Sequence, residues 1–360
     1  MKRKPKKILQ IDVSNLLFRV AAVQKFSPYA KDATIDDLVG ISMHVSLQSI
    51  FKYYNRCKPD FLIFAFDGDN NWRKEYTAKN KSRLPYKGQR VRDPEMEHYY
   101  RLLEAFRDTM KAFTSICCIY ISGMEADDVI AGVCQTYAGE DCEIDIVSGD
   151  KDFTQLLKLP NVRLINPDDG KFRNSPDSKD YEPDIDYWLF KKCIRGDTGD
   201  NVPSAYPRVR EVKIKKAYES EYEKVNFMNS TWVQTLIEGE GTNVTTRDVT
   251  HRVGDLYLEN QILMDLSKQP AEIRNKLIEG IKDQVENFSN YSHFQYLRFL
   301  EEYNLQRVRE DSTKFIEMFT NNQRFMNGEK DTQIHQQVVK PKMSPKEQLE
   351  MLKNKSLLTF

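Results

Sequence analysis

Carboxylates recur at one kind of place along this chain. Asp12 follows the apolar run ILQI, Asp67 follows LIFAF, and Asp150 and Asp152 follow IDIV. Glu125, Asp127 and Asp128 open a helical stretch in GMEADD, with Glu125 and Asp128 three apart and therefore on one face. A single acid at such a spot is usually a cap or turn residue, because helix N-termini favour negative charge. Four separate runs that lead into acids ask for another explanation. Gathered carboxylates repel and do not all ionise without a cation, so a hard divalent metal with oxygen ligands is the natural occupant. Mg²⁺ suits the set best and Mn²⁺ next. Zinc patterns of the CxxC and HExxH kind are absent, and the five histidines avoid the acidic motifs. Two ions about 4 Å apart can activate a water and stabilise the leaving oxygen of a phosphodiester, with no protein nucleophile.

The elements that must position these acids are legible as apolar runs at 8–13, 61–66, 116–121, 144–147 and 162–165, each bounded by turn signals and read as a buried strand. Stretches with a period near 3.6 lie between them at 34–54, 93–113, 125–137 and 153–158. Alternating strands and helices predict an α/β fold, a mainly parallel sheet flanked by helices, whose ligands lie beyond the carboxyl ends of the strands. The turn-rich stretch 166–183 closes this domain. From 184 onward strand signals fade and helical ones dominate, with breaks at 202–207 and 238–243. Residues 326–343 are polar and aperiodic, the pattern of a linker. The expected organisation is a nuclease-like domain over 1–183, a helical region over 184–325, and a linker and tail over 326–360.

The chain has 360 residues, 54 basic and 54 acidic, and a mean hydropathy of -0.64. No apolar run reaches the roughly 20 residues of a transmembrane helix, and the basic start lacks a cleavage site, so a cytoplasmic protein without membrane contact is expected. Six cysteines without CxxC pairing read as buried thiols. The zero net charge conceals segregation: residues 71–92 carry eight Lys or Arg against Glu75, and residues 201–217 carry five against Glu211. Basic segments interleaved with carboxylate clusters suit a metal nuclease that grips phosphates. A further acidic unit, RGDTGDN at 195–201, sets Asp197 and Asp200 three apart; on its own it reads as a helix C-terminal turn.

Asp12, FDGD at 66–69, GMEADD at 123–128, SGDKD at 148–152 and RGDTGDN, in this order and spacing, resemble the flap endonuclease and 5′-3′ exonuclease family. ENQILMDLSKQP at 259–270 is similar to the corresponding helix of its phage ribonuclease H branch, so the resemblance spans about residues 5–320. It implies a PIN-like nuclease sheet followed by a helical DNA-binding region. Two Mg²⁺ ions would be held by Asp12, Asp67, Glu125, Asp127, Asp150 and Asp152, with Asp128, Asp197 and Asp200 close by or ligating the second ion. The basic arch at about 70–92 would place Lys87 on the scissile phosphate, Arg73 and Arg90 on neighbouring phosphates, and Tyr86 on a base. Relatives carry a glycine-rich GxGxK hairpin after GDxxDN; this chain does not. Side chains of Arg208, Arg210, Lys213 and Lys215 are the expected substitute, and a K⁺ site is not.

The implied substrates are DNA and RNA–DNA hybrids with a 5′ end or flap, cleaved by a monomer during phage-type replication in the host cytoplasm. A sliding clamp and a single-strand-binding protein are the implied partners, and the apolar tail with Leu357, Leu358 and Phe360 either packs back on the parent domain or docks on the clamp. Two other readings stand beside this one. A toprim-type primase or topoisomerase domain shares a Glu after a strand and a later DxD-like unit, but explains neither Asp12 nor GDTGDN. A non-catalytic nucleic-acid-binding protein gains nothing from acids that face phosphates.

Overall fold

The computed structural model describes residues 3–27, 31–80, 84–91, 93–139, 141–238 and 245–329. Five strands, β1 (Lys7–Asp12), β2 (Phe61–Ala65), β3 (Cys117–Ile119), β4 (Glu143–Val147) and β5 (Val162–Ile165), form one sheet in the order β3-β2-β1-β4-β5. Every pairing in it is parallel. The strands are almost wholly buried because helices cover both faces. Alternation along β1 and β2 divides their side chains between two cores. Leu9, Ile11, Leu62 and Phe64 pack with α1 (Val13–Lys25), α2 (Ile35–Cys57) and α4 (Glu97–Phe113). Ile8, Phe61, Ile63 and Ala65 pack with α5 (Ala126–Tyr137) on the other face.

All five expected strands are present, with ends moved by no more than two residues. Two helices escaped the periodicity. The first is α1, which starts directly from Asp12 as its N-cap, and the second is α3 (Trp72–Lys79), inside the basic arch. The mainly helical second half also carries an antiparallel ribbon of β6 (Thr231–Glu238) and β7 (Thr245–Arg252) between α8 (Glu221–Asn229) and α9 (Val253–Met264). Its β-branched residues, Thr231, Val233, Thr235, Thr250 and others, were the signal that favoured strands.

The region 184–325 packs in two different ways. Helices α6 (Ile185–Arg195), α7 (Glu211–Glu219), α8 and α9 share small clusters of their own. By contrast, α10 (Ala271–Glu286), α11 (His293–Glu302), α12 (Gln306–Glu310), α13 (Ser312–Phe319) and α14 (Asn321–Met326) return to the two cores of the sheet. Side-chain amides on these returning helices complete the sheet where β3 is too short or lies at the edge. Asn322 both accepts from Leu62 N and donates to Leu62 O at 2.8 Å. Gln284 does the same for Tyr120, at 3.0 and 2.9 Å. Each pair replaces a missing strand neighbour, so buried backbone groups stay satisfied. All six cysteines are free and buried. Among the described residues no helix is long and apolar enough to cross a membrane. Leu357, Leu358 and Phe360 lie outside the described residues.

Candidate active site

The acids meet at the carboxyl ends of β3, β2, β1 and β4, which are neighbours in the sheet. Asp12 is the last residue of β1, and its carboxylate accepts from Asn15 N at 3.1 Å and Ser148 Oγ at 2.7 Å. Asp67 accepts from Ala126 N, which opens α5, at 2.9 Å. Asp150 accepts from Asp152 N at 2.8 Å, and its own N–H donates to Ser148 Oγ at 3.0 Å. Burial pushes Asp12 up to about 7 against the Ser148 hydrogen bond, and the charges of Asp67 and Asp150 add to the rise. Burial likewise drives Asp127 well above the usual carboxylate range, reinforced by Asp150, Glu125 and Asp12. Four acids on four adjacent elements thus feel one another as like charges.

The remaining acids are held by lysines and arginines. Lys87 Nζ pairs with Glu125 and lies 3.8 Å from Asp200. Lys192 Nζ pairs with Asp152 and lies 3.2 Å from Asp197. Arg90 donates to Asp200 at 2.7 Å from a half-exposed position. Burial would raise Glu125, but the charges of Arg73 and Lys87 win and hold it below its ordinary value. Asp197 is lowered in the same way by Lys192, against its own burial. The RGDTGDN turn that carries Asp197 and Asp200 is closed by an antiparallel bridge between Asp197 and Val202. Gly196 makes that closure possible: its φ is 73°, and a Cβ would stand 2.3 Å from Val202 O.

Asp128, Arg73 and Tyr86 take other places than the resemblance implied. Asp128 is 0% exposed and accepts from Arg73 Nη1 and Nη2, both at 2.8 Å. It also accepts from Trp72 Nε1 at 3.0 Å, Gln269 Nε2 at 2.9 Å and Glu125 N at 3.1 Å. These donors use all the lone-pair directions of a carboxylate, so Asp128 has none left for an ion. Arg73 is equally spent: it is 2% exposed, and beyond Asp128 it donates to Glu125 at 3.0 Å and to Leu263 O at 2.8 Å. The buried Tyr86 hydroxyl bonds Glu125 at 3.0 Å and Asp200 at 2.8 Å. Both side chains face inward and organise Glu125. Arg208, Arg210, Lys213 and Lys215 are all exposed, at and just before the start of α7 or along it.

Sequence reasoning missed Lys192, Ser148 and Asn15. Ser148 and Asn15 lie within three residues of Asp150 and Asp12, and only their hydrogen bonds tie them to the acids. Lys192 sits in the last turn of α6, five residues before Asp197, and the helix end alone explains a lysine there.

A family model described as the 5′-3′ exonuclease N-terminal resolvase-like domain matches residues 7–183. Over these residues the chain resembles the 5′-3′ exonuclease and flap endonuclease family. Among the family's curated members, ribonuclease H of Enterobacteria phage T4 is 28% identical over 214 residues, 58% of this chain and 64% of that protein. The matched stretch therefore spans less than two thirds of the phage protein. A 5′-3′ exonuclease of Aquifex aeolicus is 24% identical over 243 residues, 67% of this chain and 79% of its own. These relatives are phosphodiester hydrolases. The solved flap endonuclease of bacteriophage T5, in a complex with DNA and metal ions, superposes with a TM-score of 0.50 at 18% identity. That match covers 78% of this chain and 100% of the T5 chain, and it shares the fold.

A divalent ion in this family's site would need hard oxygen donors. Asp12, Asp67, Asp127 and Asp150 offer only those, and the burial and mutual repulsion that raise Asp12 and Asp127 are what a cation relieves. Among the described residues no three such side chains already stand at ion-enclosing spacing; Lys87 and Lys192 draw Glu125, Asp152 and Asp197 toward themselves.

This electrostatics sets a pH dependence. A carboxyl whose pKa is raised on folding keeps its proton in the folded state while the unfolded chain releases it. The contribution of Asp12 is complete below about pH 4 and is lost as pH rises to about 7. Asp127 acts in the same direction. Glu125 and Asp197, held low, add stability that is already complete above the ordinary carboxylate range. Metal-free protein should therefore melt at a lower temperature near pH 7.5 than near pH 5, and Mg²⁺ should raise Tm more at the higher pH. Thermal melts in EDTA and in Mg²⁺ check this. Equal Mg²⁺ gains at both pH values would contradict it.

Proposed function

We propose that the protein is a Mg²⁺-dependent 5′ nuclease that removes RNA primers or 5′ flaps during phage-type DNA replication, with Mn²⁺ able to substitute. The observation that carries this reading is the meeting of Asp12, Asp67, Asp127 and Asp150 at four adjacent elements, as like charges without a lysine or arginine hydrogen-bonded to any of their carboxylates among the described contacts. Two ions held there, with Glu125, Asp152, Asp197 and Asp200 beside them, would supply an activated water and charge neutralisation at the phosphate. The chain's own residues do the rest. Lys87, 16% exposed, keeps its ammonium at the rim of the acid cluster by pairing with Glu125. An arriving phosphate offers it a second anion, so its charge meets the reacting group as negative charge builds. Arg90, with its side chain 57% exposed, reaches the next phosphate. Duplex beyond the cut is gripped by Arg208, Arg210, Lys213 and Lys215 as point charges.

The match to a 5′-3′ exonuclease domain over 7–183 favours this reading over a toprim one. A monomer acting on DNA and RNA–DNA hybrids is the working form of the proposal, with a clamp and a single-strand-binding protein as its partners at the fork. Mapping of cleavage on a 5′-labelled flap and on an RNA–DNA hybrid tests the proposal directly. Short products from the 5′ end, formed only with a divalent ion, are expected on both; cleavage that starts at 3′ ends would overturn it. Replacing Lys87 with alanine should lower the single-turnover rate by about a hundredfold or more while affinity changes little. An unaltered single-turnover rate would remove Lys87 from the reaction.

A further inference from the structure

The turn-rich stretch after β5 sends one side chain back under the acid cluster. Arg173 is 2% exposed, and its Nη1 and Nη2 donate to the carbonyls of Asp150 at 2.8 Å and Gly149 at 2.7 Å. Its Nε has no hydrogen-bond partner, and the acid paired with it, Asp180, stands at 3.8 Å. Burial accordingly pulls its pKa below the ordinary guanidinium value, against Asp180 and Asp150. A guanidinium is costly to desolvate, and a carboxylate in contact is the usual compensation. Here two neutral carbonyls stand in that place.

Those carbonyls belong to the loop that carries Asp150. The loop's amides are tied from the other side: Gly149 N donates to Asn15 Oδ1 at 3.2 Å, and Asp150 N to Ser148 Oγ at 3.0 Å. A rigid base delivers the guanidinium, since Arg173 N donates to Leu164 O at 2.8 Å and Phe172 bridges to Ile165 of β5.

We propose that Arg173 is a positioning residue that fixes the Gly149–Asp150 backbone and thereby sets where the Asp150 carboxylate meets a divalent ion. This rests on the metal reading of the acid cluster. Two consequences of the side chain oppose each other, which gives the test its sign. As a positive charge beneath the acids, Arg173 weakens cation binding by Coulomb repulsion alone. As the tie on two successive carbonyls, it strengthens binding by removing loop freedom. The proposal holds that the tie wins.

The test is Mn²⁺ titration of the full chain by calorimetry, with thermal melts of the metal-free proteins alongside. Arg173→Met should weaken Mn²⁺ binding about tenfold or more, although it removes a positive charge. Arg173→Lys keeps the charge but cannot span both carbonyls, and should fall between Arg173→Met and the wild type. Mn²⁺ binding by Arg173→Met as tight as wild type, or tighter, would overturn the proposal. If Arg173→Met does not fold, Arg173→Lys decides: weaker Mn²⁺ binding supports the tie, and unchanged binding overturns it. Failure of the wild-type protein to bind Mn²⁺ would instead overturn the metal reading itself.

Discussion

Asp150→Asn and Asp67→Asn should each lower divalent-dependent cleavage by at least about a thousandfold while leaving affinity for a flap substrate within about tenfold. The substitution is nearly isosteric, and in both cases the hydrogen bond that orients the side chain survives. An asparagine Oδ1 can still accept from Asp152 N at position 150 and from Ala126 N at position 67. What disappears is charge, and the charge is costly without an ion: Asp67 and Asp150 are among the neighbours that drive up Asp12. Each variant should therefore melt no lower than the wild type in EDTA, and should lose most of the Tm gain on adding Mg²⁺. That combination separates a lost ligand from a damaged fold. Near wild-type turnover in both variants would remove these residues from the site.

Legibility followed the range of the forces involved. The strands were visible because each is a short apolar run buried on both faces, a signal contained within five or six residues. Several acids were visible for the same reason, since Asp12 ends β1 and Asp67 and Asp150 follow β2 and β4 within three residues. Helix α1 was hidden because its sequence, VSNLLFRVAAVQK, continues the apolar run of β1 without a break, and Asp12 serves at once as strand end and helix cap. The β6–β7 ribbon was less visible because helical signals dominate around it, although the break at 238–243 falls between its two strands. Long-range pairings were the least legible. Nothing local in NNQRFM announces that Asn322 completes the sheet beside Leu62, 260 residues away in sequence. Lys192 and Arg173 belong to the same class: their types are ordinary for a helix end and a turn, and only tertiary packing brings them to the acids.

The inward placement of Arg73 leads to the second large effect. Were Arg73 a phosphate contact, Arg73→Met would weaken substrate binding and leave the melting temperature near that of the wild type. In the structure it instead neutralises Asp128, which has no exposure, and shares Glu125 with Lys87. Removing one member of a buried ion pair strands the other, at a cost of about 3–5 kcal/mol. Leu263 O loses its donor as well, which loosens the turn between α9 and α10 where Gln155 and Gln269 also reach across. Arg73→Met should therefore lower stability to denaturant by that amount before any effect on binding is considered. The double variant Arg73→Met, Asp128→Leu discriminates further, because it leaves no unpaired carboxylate at position 128. It should recover a large part of the loss in a double-mutant cycle, whereas a phosphate contact predicts no coupling between the two positions. Wild-type stability in the single variant together with weakened flap binding would return Arg73 to the nucleic acid.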